Sequence, residues 1–153
     1  TGTLTIGHTT PSYDLETQPE NEKEYHHITK EFASEVFKKF VGEIEQIPPA
    51  HSAIKVNGKR AYELARKGEE VELKKRKIKI TSFEITSFEL PHIDFKVVCS
   101  KGTYVRSLAR DVGEALGTGA YLSALCRTRI GNFLLADAKE IESFKKEETQ
   151  EAI

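Results

Sequence analysis

The chain has 153 residues, 38% of them hydrophobic and 31% charged, enough for one domain with a core and too apolar for a disordered chain. A formal net charge of −1 excludes an overall basic protein, so any contact with nucleic acid must come from a local patch. The two cysteines, Cys99 and Cys126, lack metal-site spacing, no apolar run approaches about 18 residues, and no cleavable signal is present, which leaves a cytoplasmic protein without membrane span or metal as the expectation.

Thr1, Thr3 and Thr5 alternate with Leu4 and Ile6, so Thr1 to Thr9 reads as a strand. Thr1 is not a methionine and the strand has no lead-in, so the chain is expected to be a fragment whose beginning is lost. Thr10 to Asp14 carries turn chemistry, and Glu16 to Glu24 reads as a solvated acidic loop. Thr29 caps a predicted helix in which Phe32, Val36, Phe37 and Phe40 recur at near-helical spacing. Ile44 and Ile47 lie in a short extended piece closed by Pro48-Pro49.

Ser52 to Val56 is a further strand candidate. The Asn57-Gly58 pair that follows suits a two-residue hairpin, but Ala61, Leu64 and Ala65 at helical spacing favour strand-turn-helix. Val71 to Leu73 resumes an extended conformation. From Ile78 to Leu90 the alternation slips near Thr81-Ser82 and again near Thr86-Ser87, which calls for bulges. The strand from Ile93 to Ser100 should pair antiparallel with this run across the turn at Pro91, with Cys99 a buried free thiol.

Lys101-Gly102 then makes a turn, and Thr103 is the expected N-cap of a helix to Leu116 that buries Val105, Leu108, Ala109, Val112 and Leu116. Arg110 and Glu114 read as an exposed i,i+4 pair, and Gly117 ends the helix. Ala120 to Ile130 and Phe133 to Ala136 read as extended, and Asp137 to Glu140 as a capping box for a last helix through Phe144. Strands and helices without a regular βαβ rhythm predict an α+β fold with a mixed, mainly antiparallel sheet.

The strand-turn-helix corner Ser100-Lys101-Gly102-Thr103-Tyr104-Val105-Arg106 sets an aromatic and a basic side chain at a helix N-terminus, a place that attracts anions. On its own it is an ordinary corner. It occurs, however, with Gln46-Ile47-Pro48-Pro49, with the run from Ser52 to Gly68, with Gly113 to Ala120, and with Leu122 to Gly131. In that order and spacing these five segments resemble the TruB-type tRNA pseudouridine synthases, from about Thr1 to about Phe144.

The resemblance implies a pseudouridine-synthase fold with an RNA-binding cleft. The implied reaction breaks the glycosidic bond of a flipped-out uridine in the T loop of tRNA, the uridine-55 position, and rejoins the base through carbon five. It uses an aspartate nucleophile and neither metal nor organic cofactor; extruding the base gives access to atoms otherwise buried in the stack. That aspartate is expected upstream of Thr1, because Gly2-Thr3-Leu4-Thr5 imitates the family's nucleophile loop but carries Thr5 where the aspartate would stand. The isolated chain is therefore expected to be inactive. It would be the C-terminal portion of a single catalytic domain, residues 1–153, monomeric and without the accessory RNA-binding domain of some relatives.

By the same resemblance Arg106 would pair with the catalytic aspartate, and Tyr104 and Leu125 would line the uracil pocket. Asp14 would lie near the flipped nucleotide. By residue pattern alone, Arg106 suits a helix surface, Tyr104 and Leu125 a core, and Asp14 a turn. Lys55, Arg66, Lys101, Arg127 and Arg129 are the candidates for contact with RNA phosphates, Arg127 and Arg129 sharing one side of a predicted strand. The run Lys74 to Lys79 would follow the tRNA or protect an edge strand. The five histidines show no ligand or triad spacing. Three rival readings are an RNA-guided relative that modifies other RNAs, for which an accessory domain after Ile153 is the discriminator; a catalytically dead module that binds and folds tRNA; and a structural piece that binds nothing. An upstream aspartate distinguishes the enzyme from the dead module, and binding to a T stem-loop distinguishes the dead module from the structural piece.

Overall fold

The computed structural model describes residues 1–50, 55–56, 58–68 and 73–141; the side chains of 55 and 56 are outside the description. The predicted strand from Ser52 is therefore seen only at its end, Val71 to Leu73 is described only at Leu73, and the helix expected through Phe144 is outside it beyond Ile141.

Five strands form the main sheet: β1 (Gly2–Ile6), β2 (Gly42–Gln46), β5 (Arg76–Glu89), β6 (His92–Cys99) and β7 (Ala120–Leu125), in the order β2-β5-β6-β1-β7. The α+β fold with a mainly antiparallel sheet is as expected, and every ladder of the main sheet is antiparallel. The reason is topological. β6 and β7 both run antiparallel to β1, so they are parallel to each other and joined by a helix, but β1 lies between them. The result is a split βαβ unit whose parallel pair never touches.

β5 carries its register shifts between Ile80 and Ser82 and between Ile85 and Ser87, at the two slips of the sequence pattern. Each inserts a residue and returns the apolar phase to the same face. On the outer side of β5, β2 sets Glu43 opposite Lys79 and Glu45 opposite Lys77. The lysine run thus faces glutamates across a ladder, where opposite charges attract. β5 is also an interior strand, so edge protection is not its task.

Helices α1 (Lys30–Lys39) and α3 (Val105–Leu116) cover one face of the sheet. Thr29 caps α1 through its hydroxyl, which accepts from the Phe32 N–H at 3.1 Å. Ala33, Val36 and Phe37 of α1 and Leu108, Ala109, Val112 and Leu116 of α3 pack on Leu4, Ile6, Ile80, Ile93, Phe95 and Leu122. Phe37 stacks on Phe83 with ring centroids 4.0 Å apart. Full burial of such a ring contributes about 1.5–3 kcal/mol. The opposite face is polar, with Thr5 donating to Ser123 at 2.8 Å and Thr3 to Asp94 at 2.6 Å.

Several local expectations are corrected. β3 (Lys55–Val56) pairs antiparallel with β4 (Lys59–Arg60), and α2 (Ala61–Arg66) follows β4 directly, so strand pairing and helix coexist; the Asn57 part of the expected turn lies outside the described residues. Cys99 is only half-buried and Cys126 is exposed. β7 stops at Leu125, and a separate hairpin of β8 (Arg129–Ile130) and β9 (Phe133–Leu134) follows. Arg127 falls between the two sheets, so it does not share a strand with Arg129. A short turn of 3-10 helix, Leu135–Asp137, takes the end of the stretch expected to be extended through Ala136 and the first residue of the expected capping box.

Candidate active site

The corner before α3 begins where β6 runs out. Ser100 keeps the sheet register for one more residue, its N–H donating to the Lys79 carbonyl at 2.8 Å and its hydroxyl accepting from the Lys79 N–H at 2.9 Å. Gly102 then takes a φ of +83°, left-handed backbone that a side chain would strain. Lys101 is exposed on this turn. The helix starts later than predicted: its N-cap is Tyr104, not Thr103, and no side chain of the corner caps it.

The physical reason is a partner from another strand. Gln46, at the end of β2, presents its side-chain amide to the Tyr104 backbone. Its carbonyl oxygen accepts from the Tyr104 N–H at 2.8 Å, and its amide nitrogen donates to the Tyr104 carbonyl at 3.0 Å. That carbonyl also accepts from the Leu108 N–H at 3.1 Å, the first bond of the helix. The Tyr104 backbone is thus held before any helical cap is needed.

Arg106, in the first turn of α3, reaches the turn after β1. Its Nη1 lies 3.6 Å from Asp14 Oδ2, with side-chain exposures of 21% and 26%, so both charges are largely withdrawn from water. Asp14 is aimed by its other oxygen, which accepts from the Ser12 hydroxyl at 2.6 Å and the Glu16 N–H at 2.9 Å. Ser12 itself is fully buried, which fixes the turn. One face of α3 and the Ser12–Asp14 turn therefore bring together two of the predicted site residues, Arg106 and Asp14. Tyr104 sits two residues before Arg106 on the same corner.

Arg110 does not pair with Glu114 on the exposed side. One turn after Arg106, it points to the same loop, its guanidinium 4.8 Å above the Tyr13 ring. It donates to Asp111 at 2.9 Å and to the Ile47 carbonyl at 3.2 Å. Burial pulls its pKa down, but the hydrogen bond to Asp111 and then the interaction with Tyr13 outweigh this, leaving it raised. Position 110 lies four residues after 106, so the shared face was available as a signal in the sequence. The participation of Tyr13, held at φ 66°, and of Gln46 was not.

The other predicted residues lie elsewhere. Leu125 is 54% exposed and lines a cleft of about 280 Å³ with Gly2, Asp94, Phe95 and Cys126, apart from Tyr104 and Arg106. Arg66 is paired with Glu16 at 3.0 Å and lies 5.0 Å over the Tyr62 ring. Arg129 donates to the Gly131 carbonyl at 3.2 Å in the exposed hairpin, and Arg127 is exposed. The side chain of Lys55 is outside the described residues. Among the described residues no group of three or more His, Cys, Asp or Glu is placed to hold a metal ion. No helix among them is long and apolar enough to cross a membrane.

Residues 1–105 match the family model "TruB family pseudouridylate synthase (N terminal domain)", and residues 106–152 match "tRNA pseudouridylate synthase B C-terminal domain". A tRNA pseudouridine synthase B of Phocaeicola vulgatus is 54% identical over 142 residues, covering 93% of this chain and 60% of the relative. One of Parabacteroides distasonis is 56% identical over 145 residues, covering 93% and 62%. The chain thus spans about 60% of the length of the curated relatives it matches. Among solved structures, a Cbf5-Nop10-Gar1 complex covers 97% of this chain and 36% of its own matching chain, with a TM-score of 0.61 and 26% identity. An archaeal box H/ACA Nop10-Cbf5 complex shares the fold, with a TM-score of 0.53 at 22% identity, over 88% of this chain and 28% of that one.

Proposed function

The chain belongs to the TruB family of pseudouridylate synthases, and from that premise we propose that it forms part of a tRNA pseudouridine synthase acting on uridine 55 of the T loop. The observation that carries this reading is the Arg106–Asp14 contact at 3.6 Å. It sets a guanidinium, partly shielded from water, beside the Tyr104 corner, where a flipped base and a reacting carboxylate need an aromatic wall and a fixed cation.

In this reading the nucleophilic aspartate comes from polypeptide outside the chain. Arg106 holds that carboxylate ionised and aimed at the sugar, because a nearby positive charge favours the charged form. Tyr104 lines the uracil pocket, and Asp14 keeps Arg106 in place from behind the turn. Leu125 closes the same pocket only once further polypeptide or RNA bridges the separate cleft it now lines. Lys55, Lys101, Arg127 and Arg129 contact phosphates, and Arg66 joins them on release from Glu16. No metal or organic cofactor takes part, and the protein works as a cytoplasmic monomer. The boundary between the two matched family models falls at Arg106, inside α3, which supports treating residues 1–153 as one piece of a single catalytic domain.

The test is tritium release from T-arm RNA labelled at uridine carbon five. The gene product that contains this chain should release one equivalent per RNA, and substitution of uridine 55 should abolish release. The 153-residue chain alone should release none. Binding without release by the whole gene product would instead establish a tRNA-binding module.

A further inference from the structure

We propose that Gln46 is a positioning residue for this site: its side-chain amide sets the backbone of Tyr104 and thereby the first turn of α3 that carries Arg106. The inference rests on the reading that Tyr104 and Arg106 face the target uridine. Gln46 is 2% exposed, at the last residue of the edge strand β2, and 58 residues away from Tyr104 in the chain. Its two hydrogen bonds, 2.8 Å and 3.0 Å, satisfy both the donor and the acceptor of one peptide residue, as a neighbouring strand would.

Beyond Ser100, which is tied to Lys79, little else among the described residues fixes the corner. Within it, Thr103 N–H reaches the Ser100 carbonyl at 3.3 Å and the two hydroxyls are 3.4 Å apart, both long contacts. Gly102 is free to turn, and the N-cap of α3 has no side-chain cap. Arg106 meets Asp14 at 3.6 Å, so a shift of the helix start by a fraction of a helical turn would break that contact. The demand on position 46 is specific. It needs a neutral group with an acceptor and a donor side by side at the reach of three side-chain carbons. Glutamine meets it; a protonated glutamic acid does too, whereas an ionised one has no proton to offer the Tyr104 carbonyl.

That difference supplies the experiment, performed on the gene product that contains this chain with T-arm RNA as substrate. In Gln46→Glu, kcat relative to the unaltered protein should fall at least tenfold at pH 8, with KM for RNA within about threefold. As the pH is lowered toward 5.5 the ratio of the two kcat values should climb back toward one, because burial raises the pKa of the introduced carboxyl and its protonated form restores the donor. A ratio that stays flat with pH, or a loss confined to KM, overturns the proposal. A second readout does not depend on the variant folding. Hydrogen exchange in the unaltered protein should protect the Tyr104 amide at least a hundredfold relative to that of Lys101. An unprotected Tyr104 amide in an active protein overturns this inference alone, whereas an inactive unaltered protein overturns the functional reading beneath it.

Discussion

Replacing Gly113 with alanine tests how tightly α3 is seated. Gly113 lies in the third turn of α3, facing the start of β7. A Cβ there would lie 2.2 Å from the Ala120 nitrogen, 2.5 Å from the Gly119 carbonyl carbon and 2.7 Å from the Ala120 Cβ. The first two are backbone atoms, so no side chain can swing aside. Ordinary contact begins near 3.4 Å, and the strand would have to retreat by about 1.2 Å. That retreat pulls on the Gly113 carbonyl, which accepts from Thr118 at 3.2 Å and Gly119 at 3.0 Å. Overpacking costs about 1–3 kcal/mol, and the two strained hydrogen bonds about 1 kcal/mol each. Alanine returns about 1 kcal/mol of helix propensity. The net loss should be about 3 kcal/mol, or roughly 6–12 °C in Tm for a chain of this size.

The comparison variant is Gly117→Ala, four residues later. Gly117 caps the helix at φ +78°, but nothing lies within 4 Å of its would-be Cβ. Its cost is left-handed strain alone, about 1–2 kcal/mol, or roughly 2–8 °C. Thermal melts followed by circular dichroism at 222 nm distinguish the two. If Gly113→Ala melts at or above Gly117→Ala, the close approach of α3 to β7 is wrong.

Four further outcomes are expected. In the gene product that contains this chain, Arg106→Ala should abolish tritium release while tRNA affinity stays within about tenfold, since Arg106 aims a carboxylate and does not anchor the RNA backbone; loss confined to binding would contradict that role. Thr29→Ala should destabilise the chain by about 1 kcal/mol through loss of the α1 cap, read as a lower denaturation midpoint. Ser107→Ala should raise the Tm slightly, because the buried Ser107 hydroxyl has no hydrogen-bond partner among the described residues and alanine favours the helix. Glu24, fully exposed, has its pKa lowered first by the backbone N–H of His26 and then by the His26 side chain. Its contribution is present above the ordinary carboxylate range and lost as pH falls through the lowered value. The Tm difference between wild type and Glu24→Gln should therefore shrink as the pH falls from about 5 to 3, and a difference that grows over that range would refute the contact.

The sequence disclosed what depends on local pattern. The slips of β5 were readable because each reverses the parity of Ile78, Phe83 and Phe88, and the α1 cap because Thr29 precedes a helical stripe. Long-range pairings were not readable. Nothing near Thr103 signals that Gln46 takes over the start of α3, and so the sequence pattern puts the N-cap one residue early. The i,i+4 spacing of Arg110 and Glu114 describes an isolated helix, whereas the folded helix offers Arg110 Tyr13 and Ile47. The same limit governs the site. The corner and its arginine were legible, while the contact with Asp14 depends on two segments 92 residues apart in numbering meeting across the fold.

The central position of β1 has a consequence for how the chain comes off the ribosome. β1 pairs with β6 and β7, so Gly2 meets Phe95 on one side and Leu125 on the other. At about 5–20 residues per second, roughly 6–25 s separate the emergence of β1 from that of its second neighbour. Until β6 has emerged, Leu4 and Ile6, two of the most deeply buried side chains, belong to a strand that has neither of these two neighbours. The β5–β6 hairpin, joined by a turn of two residues, can close first and offer β1 its first edge. Folding should therefore be gated by α3 and β7, and a nascent chain stalled before Ala120 would be the species most in need of a chaperone.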